Sequence, residues 1–267
     1  MIEPRWHAAS LAAVFLSLAL GILLGSTALG GDGLARRQEL AVRRIEADVA
    51  HLRQEEADNA ALRQFAGEAL PWIIGNRLRG RAVTLVVLGT PSAARDVISD
   101  LQLAQASVYL VAIPAGLAPA AADGWGQLAA AWSLRAVDHG AILERAADLL
   151  AASLPTGAVP ELLLGTGAAI AEGTPRPPVA VVVLSGPDAP PDAPRRLVTD
   201  LAGLPTAVAA ASGAARSSLI PPFASLGRAT VDDVDQPAGR AALILALAGH
   251  PGRYGTGPGA SHLLPPW

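Results

Sequence analysis

The sequence predicts an α/β fold: an N-terminal transmembrane helix, a coiled-coil-like stalk helix, then a three-layer α/β sandwich with a mostly parallel sheet. Three observations predict it. Ala8 to Gly30 (AASLAAVFLSLALGILLGSTALG) carries no charge over 23 positions. Leu34 to about Leu70 is polar and helix-forming, with apolar residues at heptad spacing. From Arg81 onward, continuous apolar runs alternate with amphipathic segments, the rhythm of a parallel sheet covered by helices. The expected domains are a tail and anchor over 1–30, a stalk over 31–75, an α/β domain over 76–250 and an irregular tail over 251–267.

As a helix, the uncharged run would reach roughly 34 Å at ~1.5 Å per residue, enough to cross a hydrocarbon core of about 30 Å. Trp6 precedes it where an interfacial aromatic belongs, and Gly30, Gly31, Asp32 and Gly33 end it. Ser26 and Ala28 also offer the small-x-small pattern of a cleaved secretory signal. The run exceeds the ~7 to 15 residues of a signal core, which favours a retained anchor. Gly21 and Gly25 are spaced as a G-x-x-x-G pair, a spacing that an Ala/Gly-rich chain often produces by chance. Arg36, Arg37, Arg43 and Arg44 after the span argue for a cytoplasmic bulk. A short N-tail before a long C-terminal domain argues for a single-pass cell-membrane protein with its bulk outside. The second arrangement is the one expected.

In the stalk, Val42, Ile45, Val49 and Leu52 follow one another at spacings of 3, 4 and 3, as a and d positions of a heptad seam do. Glu56 and Asn59 interrupt the seam, and Leu62, Phe65 and Ala69 resume out of phase. These four residues are the expected interaction surface, for a homo-oligomer or for a different coiled-coil partner. His51 on this helix is expected to be solvated. Pro71 to Ile74 ends the segment, and Gly75 to Gly80 reads as the loop into the globular part.

Ala82–Leu88 and Ser107–Ile113 read as buried strands flanking a helix over 92–105, a β-α-β unit with a right-handed crossover. Helices follow over 124–131 and 139–153, the second with Ile142, Leu143, Ala146, Leu149 and Leu150 on one side. Residues 161–170 fit either helix or strand, and 172–178 read as a linker. Further strands are expected at Val179–Leu184, at Thr206–Ala210 and at Thr230 and Val231. A proline-rich loop spans Gly186–Pro194, and a short helix spans Arg195–Ala202. Asp235 is expected to cap, and Pro237 to begin, a helix through Ala248.

Composition removes several function classes. A net charge of −3 gives no basic field, so no nucleic-acid partner is expected. With no cysteine there is no disulfide, thiolate zinc site or cysteine nucleophile. No lysine means no Walker phosphate loop, Gly165 and Gly167 lack the third glycine of a dinucleotide fingerprint, and Ser185 stands outside a G-x-S-x-G elbow. No catalytic or cofactor-binding residue is expected, and the protein reads as a non-enzyme. One methionine and no cysteine leave Cu(I) without its preferred soft ligands. The weak metal candidates are Asp232, Asp233 and Asp235 in TVDDVDQPAGR, with His250 and His262 in the tail. Solvated histidines and helix capping are the plainer readings of these residues.

Several stretches together resemble the actinobacterial copper transport protein B (MctB) family. They are the opening RWHAASLAAVFLSLALGILLGS, the coiled segment, the Leu-Val-Val-Leu-Gly strand, and ATVDDVDQPAGRAALILALAG followed by GRYGTGPGASHLLP. The likeness spans nearly the whole chain. It implies a role in copper homeostasis or efflux across the cell envelope, and copper enters through this likeness alone. A related corynebacterial member is similar to a partner in a complex controlling daughter-cell separation, which implies a scaffold. The family usually reads Val-Asp-Asn where this chain has Val231, Asp232 and Asp233. One span per chain offers no pore, so conduction would need an oligomer or a partner channel.

Overall fold

The computed structural model describes residues 4–28, 31–185, 195–212 and 216–265. Gly30, the loop 186–194 and the side chains of Trp6, Ser26 and Ala28 lie outside the described residues. The chain divides into two compact units, Met1–Leu62 and Arg63–Trp267.

The first unit holds helix α1 (Pro4–Ala28) and most of helix α2 (Gly31–Ile74). The described side chains of α1 run from Leu11 to Gly25, and Leu11, Val14, Phe15, Leu16 and Ile22 are all more than half exposed. Among the described residues no helix is long and apolar enough to cross a membrane. α2 runs through Pro71 to Ile74 instead of stopping at the proline, and Gly75 N–H reaches the Pro71 carbonyl at 3.0 Å. Burial holds this last turn: Leu70, Ile74 and Leu78 are all in the core of the second unit.

Among the described residues, that second unit is built on seven strands: β1 (Ala82–Leu88), β2 (Ser107–Ile113), β3 (Ile170–Glu172), β4 (Ala180–Ser185), β5 (Ala207–Ala211), β6 (Ala229–Val231) and β7 (Arg253–Tyr254). Their order across the sheet is β3-β2-β1-β4-β5-β6-β7. Every pairing is parallel except β2 with β3. The helices are α3 (Arg95–Leu103), α4 (Gly124–Ala131), α5 (His139–Ser153), α6 (Glu161–Gly165), α7 (Arg195–Gly203), α8 (Arg216–Ser225) and α9 (Pro237–Ala248).

Strand side chains alternate between faces, so β1 sends Val86 and Leu88 into one core and Val83, Leu85 and Val87 into the other. The first core is closed by α5, α7 and α8 through Ile142, Ala146, Leu150, Leu197, Leu201 and Phe223. The second is closed by the end of α2, by α3 and by α9 through Ile74, Leu101, Ile244 and Leu247. Two apolar cores around one sheet make the three layers that the continuous apolar strands predict.

The differences from expectation are local. A 3-10 turn at Pro91–Ala94 precedes α3, so the helix is shorter than 92–105. Residues 161–165 are helical, and the strand β3 starts at the end of the ambiguous stretch, at Ile170, and touches the expected linker only at Glu172. α8 forms despite Pro221 and Pro222, with Leu219 and Phe223 buried beneath it. The tail is not wholly irregular, because β7 pairs Arg253 with Thr230 and Tyr254 with Val231.

Strand order and helix placement also fix relative handedness. The crossovers through α3, α7 and α8 share one hand, since the order reverses when the helix changes face. α9 lies on the α3 face while the order continues from β6 to β7, so its crossover has the opposite hand.

Candidate functional site

Two places concentrate the residues that the sequence singles out: the acidic turn after β6 and the apolar seam of α2.

The turn after β6 meets the turn after β7. Asp232, only 4% exposed, accepts the Thr256 N–H on Oδ1 at 2.8 Å and the Gly257 N–H on Oδ2 at 3.0 Å. Asp233 Oδ2 accepts the same Thr256 N–H at 3.2 Å, and the Thr256 hydroxyl donates to it as well. Asp232 N–H donates to the Tyr254 carbonyl at 2.9 Å, so backbone and side chain grip the same loop. Burial pushes the Asp232 carboxyl above its ordinary range and the neighbouring Asp233 pushes the same way, against the pull of the Thr256 and Gly257 N–H groups.

Two glycines make this approach feasible. Gly255 has φ +132°, and a Cβ there would run into the Asp232 carboxylate. A Cβ on Gly239 would run into the Asp233 carbonyl.

Asp235 is not the helix cap. The cap position is Gln236, in extended conformation with no side-chain cap bond, and Pro237 opens α9 as expected. A proline with fixed φ at the first position favours an extended residue before it, which displaces the cap by one. The Asp235 carbonyl instead accepts from Arg240 Nη1 at 3.3 Å. Arg240 Nε reaches Asp100 Oδ2 on α3 at 2.6 Å, with both side chains 14% exposed. Burial raises the Asp100 carboxyl, and the bond from Arg240 pulls it back.

The metal candidates separate in space by role. Asp232 and Asp233 meet over Thr256, whereas His250 and His262 are exposed and enter these contacts through their carbonyls, which accept from the Tyr254 hydroxyl and Gly255 N–H. Among the described residues no group of three or more His, Asp or Glu is placed to hold a metal ion. Thr256, Gly257, Gly239, Arg240 and Asp100 complete the clasp. Sequence reasoning assigned none of them a role, although the glycine-rich GRYGTG and PAGR signalled it.

The strand order reverses between β1 and β4, where open α/β sheets place ligands. Ser185 ends β4 there and Ser212 follows the neighbouring β5; both are buried, Ser212 N–H donates to the Ser185 carbonyl at 3.2 Å, and neither hydroxyl meets a histidine or carboxylate among the described residues. No proton-transfer pair serves either serine among those residues.

On α2 the seam is open. Val42 and Leu52 are 52% and 57% exposed, Ile45 is exposed too, and Val49 is exposed to 38%. Farther along α2, within the second unit, Leu70 is buried in the domain. Phe65 and Trp72 point the other way and stay exposed, Trp72 to 90%. His51 is solvated, 3.4 Å from Glu55.

A family model described as "Copper transport outer membrane protein, MctB" matches residues 1–265. No curated protein matches the chain, and no solved structure does.

Proposed function

Since the chain belongs to the MctB family of copper transport outer membrane proteins, we propose that it serves copper transport or homeostasis at the cell envelope, as a single-pass tethered scaffold and not as a pore on its own. The family description supports the copper role. Copper is then cargo of the system in which the protein works, because the donor set fits Cu(I) poorly: no cysteine, one methionine, and dispersed histidines.

The observation that carries the scaffold reading is the exposed seam of α2, Val42, Ile45, Val49 and Leu52, an apolar stripe that water disfavours and a second helix would cover. Support for the tether comes from the uncharged run Ala8–Gly30 in the sequence. Its exposed leucines and Phe15 favour hydrocarbon over water by ~25 cal/mol per Å². The bulk of the chain lies outside the cytoplasm in this reading. A role in a cell-separation complex rests on the same seam.

The decisive experiment is Val49→Asp with Leu52→Asp in the full chain. It is expected to abolish self-association or partner binding while leaving the α/β domain folded; unchanged association would remove the scaffold reading. A topology reporter fused after Trp267 should register an extracytoplasmic end. A Cu(I) competition titration of the full chain should show no stoichiometric sub-micromolar site, and finding one would reinstate direct binding.

A further inference from the structure

We infer that the seam of α2 is closed by a second copy of this chain, parallel and in register. The inference rests on the scaffold reading above and names its partner.

Charge placement decides the partner and its direction. With Val42 and Val49 at a and Ile45 and Leu52 at d, Asp48 takes a g position and Arg53 the next e position. In a parallel, in-register pair each g residue meets the e residue five places on in the other helix. Asp48 then meets Arg53 of the second copy, twice by symmetry. Neither Asp48 nor Arg53 forms an ion pair within its own chain among the described residues, so both charges are available for this contact.

An antiparallel pair that overlaps the same four apolar positions sets Val42 across from Leu52 and Ile45 across from Val49. It brings g to g and e to e, so Asp48 faces Asp48 and Glu46 faces Glu46, while Arg53 faces Glu39. The like-charge contacts offset the Arg53–Glu39 contacts in that direction, whereas the parallel pair keeps both Asp48–Arg53 contacts unopposed. The seam also has a fixed end. Glu56 occupies the next a position and ends the apolar run. Pairing is therefore confined to the stretch before Glu56.

The chain has no cysteine, so single cysteines report cleanly. In detergent-solubilised full chain, Ile45→Cys is expected to cross-link to itself with a short bis-maleimide. A mixture of Ile45→Cys and Val49→Cys chains should give no preferred mixed dimer. Asp48→Arg or Arg53→Asp alone should weaken dimerisation about five- to tenfold, and the double exchange should restore it. A preferred 45–49 cross-link overturns the parallel arrangement. Absence of any self cross-link, with partner binding still abolished by Val49→Asp and Leu52→Asp, overturns the second copy but leaves the scaffold reading standing. If that double substitution changes nothing at all, both readings fall.

Discussion

Replacing Arg240 by alanine tests the joint between α3 and α9. Arg240 Nε lies 2.6 Å from Asp100 Oδ2, and Nη1 lies 3.3 Å from the Asp235 carbonyl and 3.9 Å from Asp96 Oδ2. Asp96 is 75% exposed, so its contribution is small. Asp100 is 14% exposed and would be left as a carboxylate without its partner. Breaking a fully buried pair costs ~3–5 kcal/mol; the residual exposure here brings the expected loss to about 2–3 kcal/mol.

The loss should depend on pH. Burial already raises the Asp100 carboxyl, and Arg240 supplies both influences that lower it. Without Arg240 the folded-state pKa climbs further. A carboxyl whose pKa is raised by folding contributes stability below its unfolded value of ~3.9, and this is lost as pH rises through the folded value. The penalty of Arg240→Ala should therefore be largest at neutral pH and shrink on acidification. Denaturant unfolding of the full chain in detergent, followed by far-ultraviolet circular dichroism at several pH values, measures it. A loss below about 1 kcal/mol, or one independent of pH, would refute the reasoning.

Gly255→Ala should lower stability by at least ~2 kcal/mol, because φ +132° strains an alanine and its Cβ displaces the Asp232 carboxylate; an unaltered thermal midpoint would speak against the clasp. Asp232→Asn sets an amide donor against one of two N–H groups and should cost about 1–3 kcal/mol at neutral pH, read from denaturant curves. Arg228→Gln should cost about 1 kcal/mol, since the guanidinium holds the carbonyls of Ala202 and Gly203 at the end of α7 and of Pro205 just beyond it, at 3.1, 3.1 and 3.3 Å. Asp100, Asp200 and Asp232 are all raised with burial as the first cause, so the thermal midpoint should be higher at mildly acid than at neutral pH, and a rise toward neutrality would contradict that sign.

The amino-acid sequence by itself determined the parts whose pattern is local. β1 and β2 are legible to the residue, because a parallel strand buried on both faces is a nearly continuous apolar run, broken here only by Thr84 within Ala82–Leu88 and by Ser107 at the exposed start of Ser107–Ile113. The α5 stripe and the Pro237 start of α9 are legible for the same kind of reason, the period of a helix and the fixed φ of proline. The seam Val42–Leu52 is visible in the spacing alone.

Tertiary structure decided whatever depends on a distant partner. β3 and β7 are three and two residues long, and pairing with β2 and β6 makes them strands. α2 continues past Pro71, and α8 tolerates two prolines, because Ile74 and Phe223 are fully buried at those places. The acidic turn after β6 reads in sequence as a capping or cation-binding cluster. In the fold its carboxylates receive N–H groups of a loop more than twenty positions away, since a buried carboxylate must find donors wherever the chain brings them.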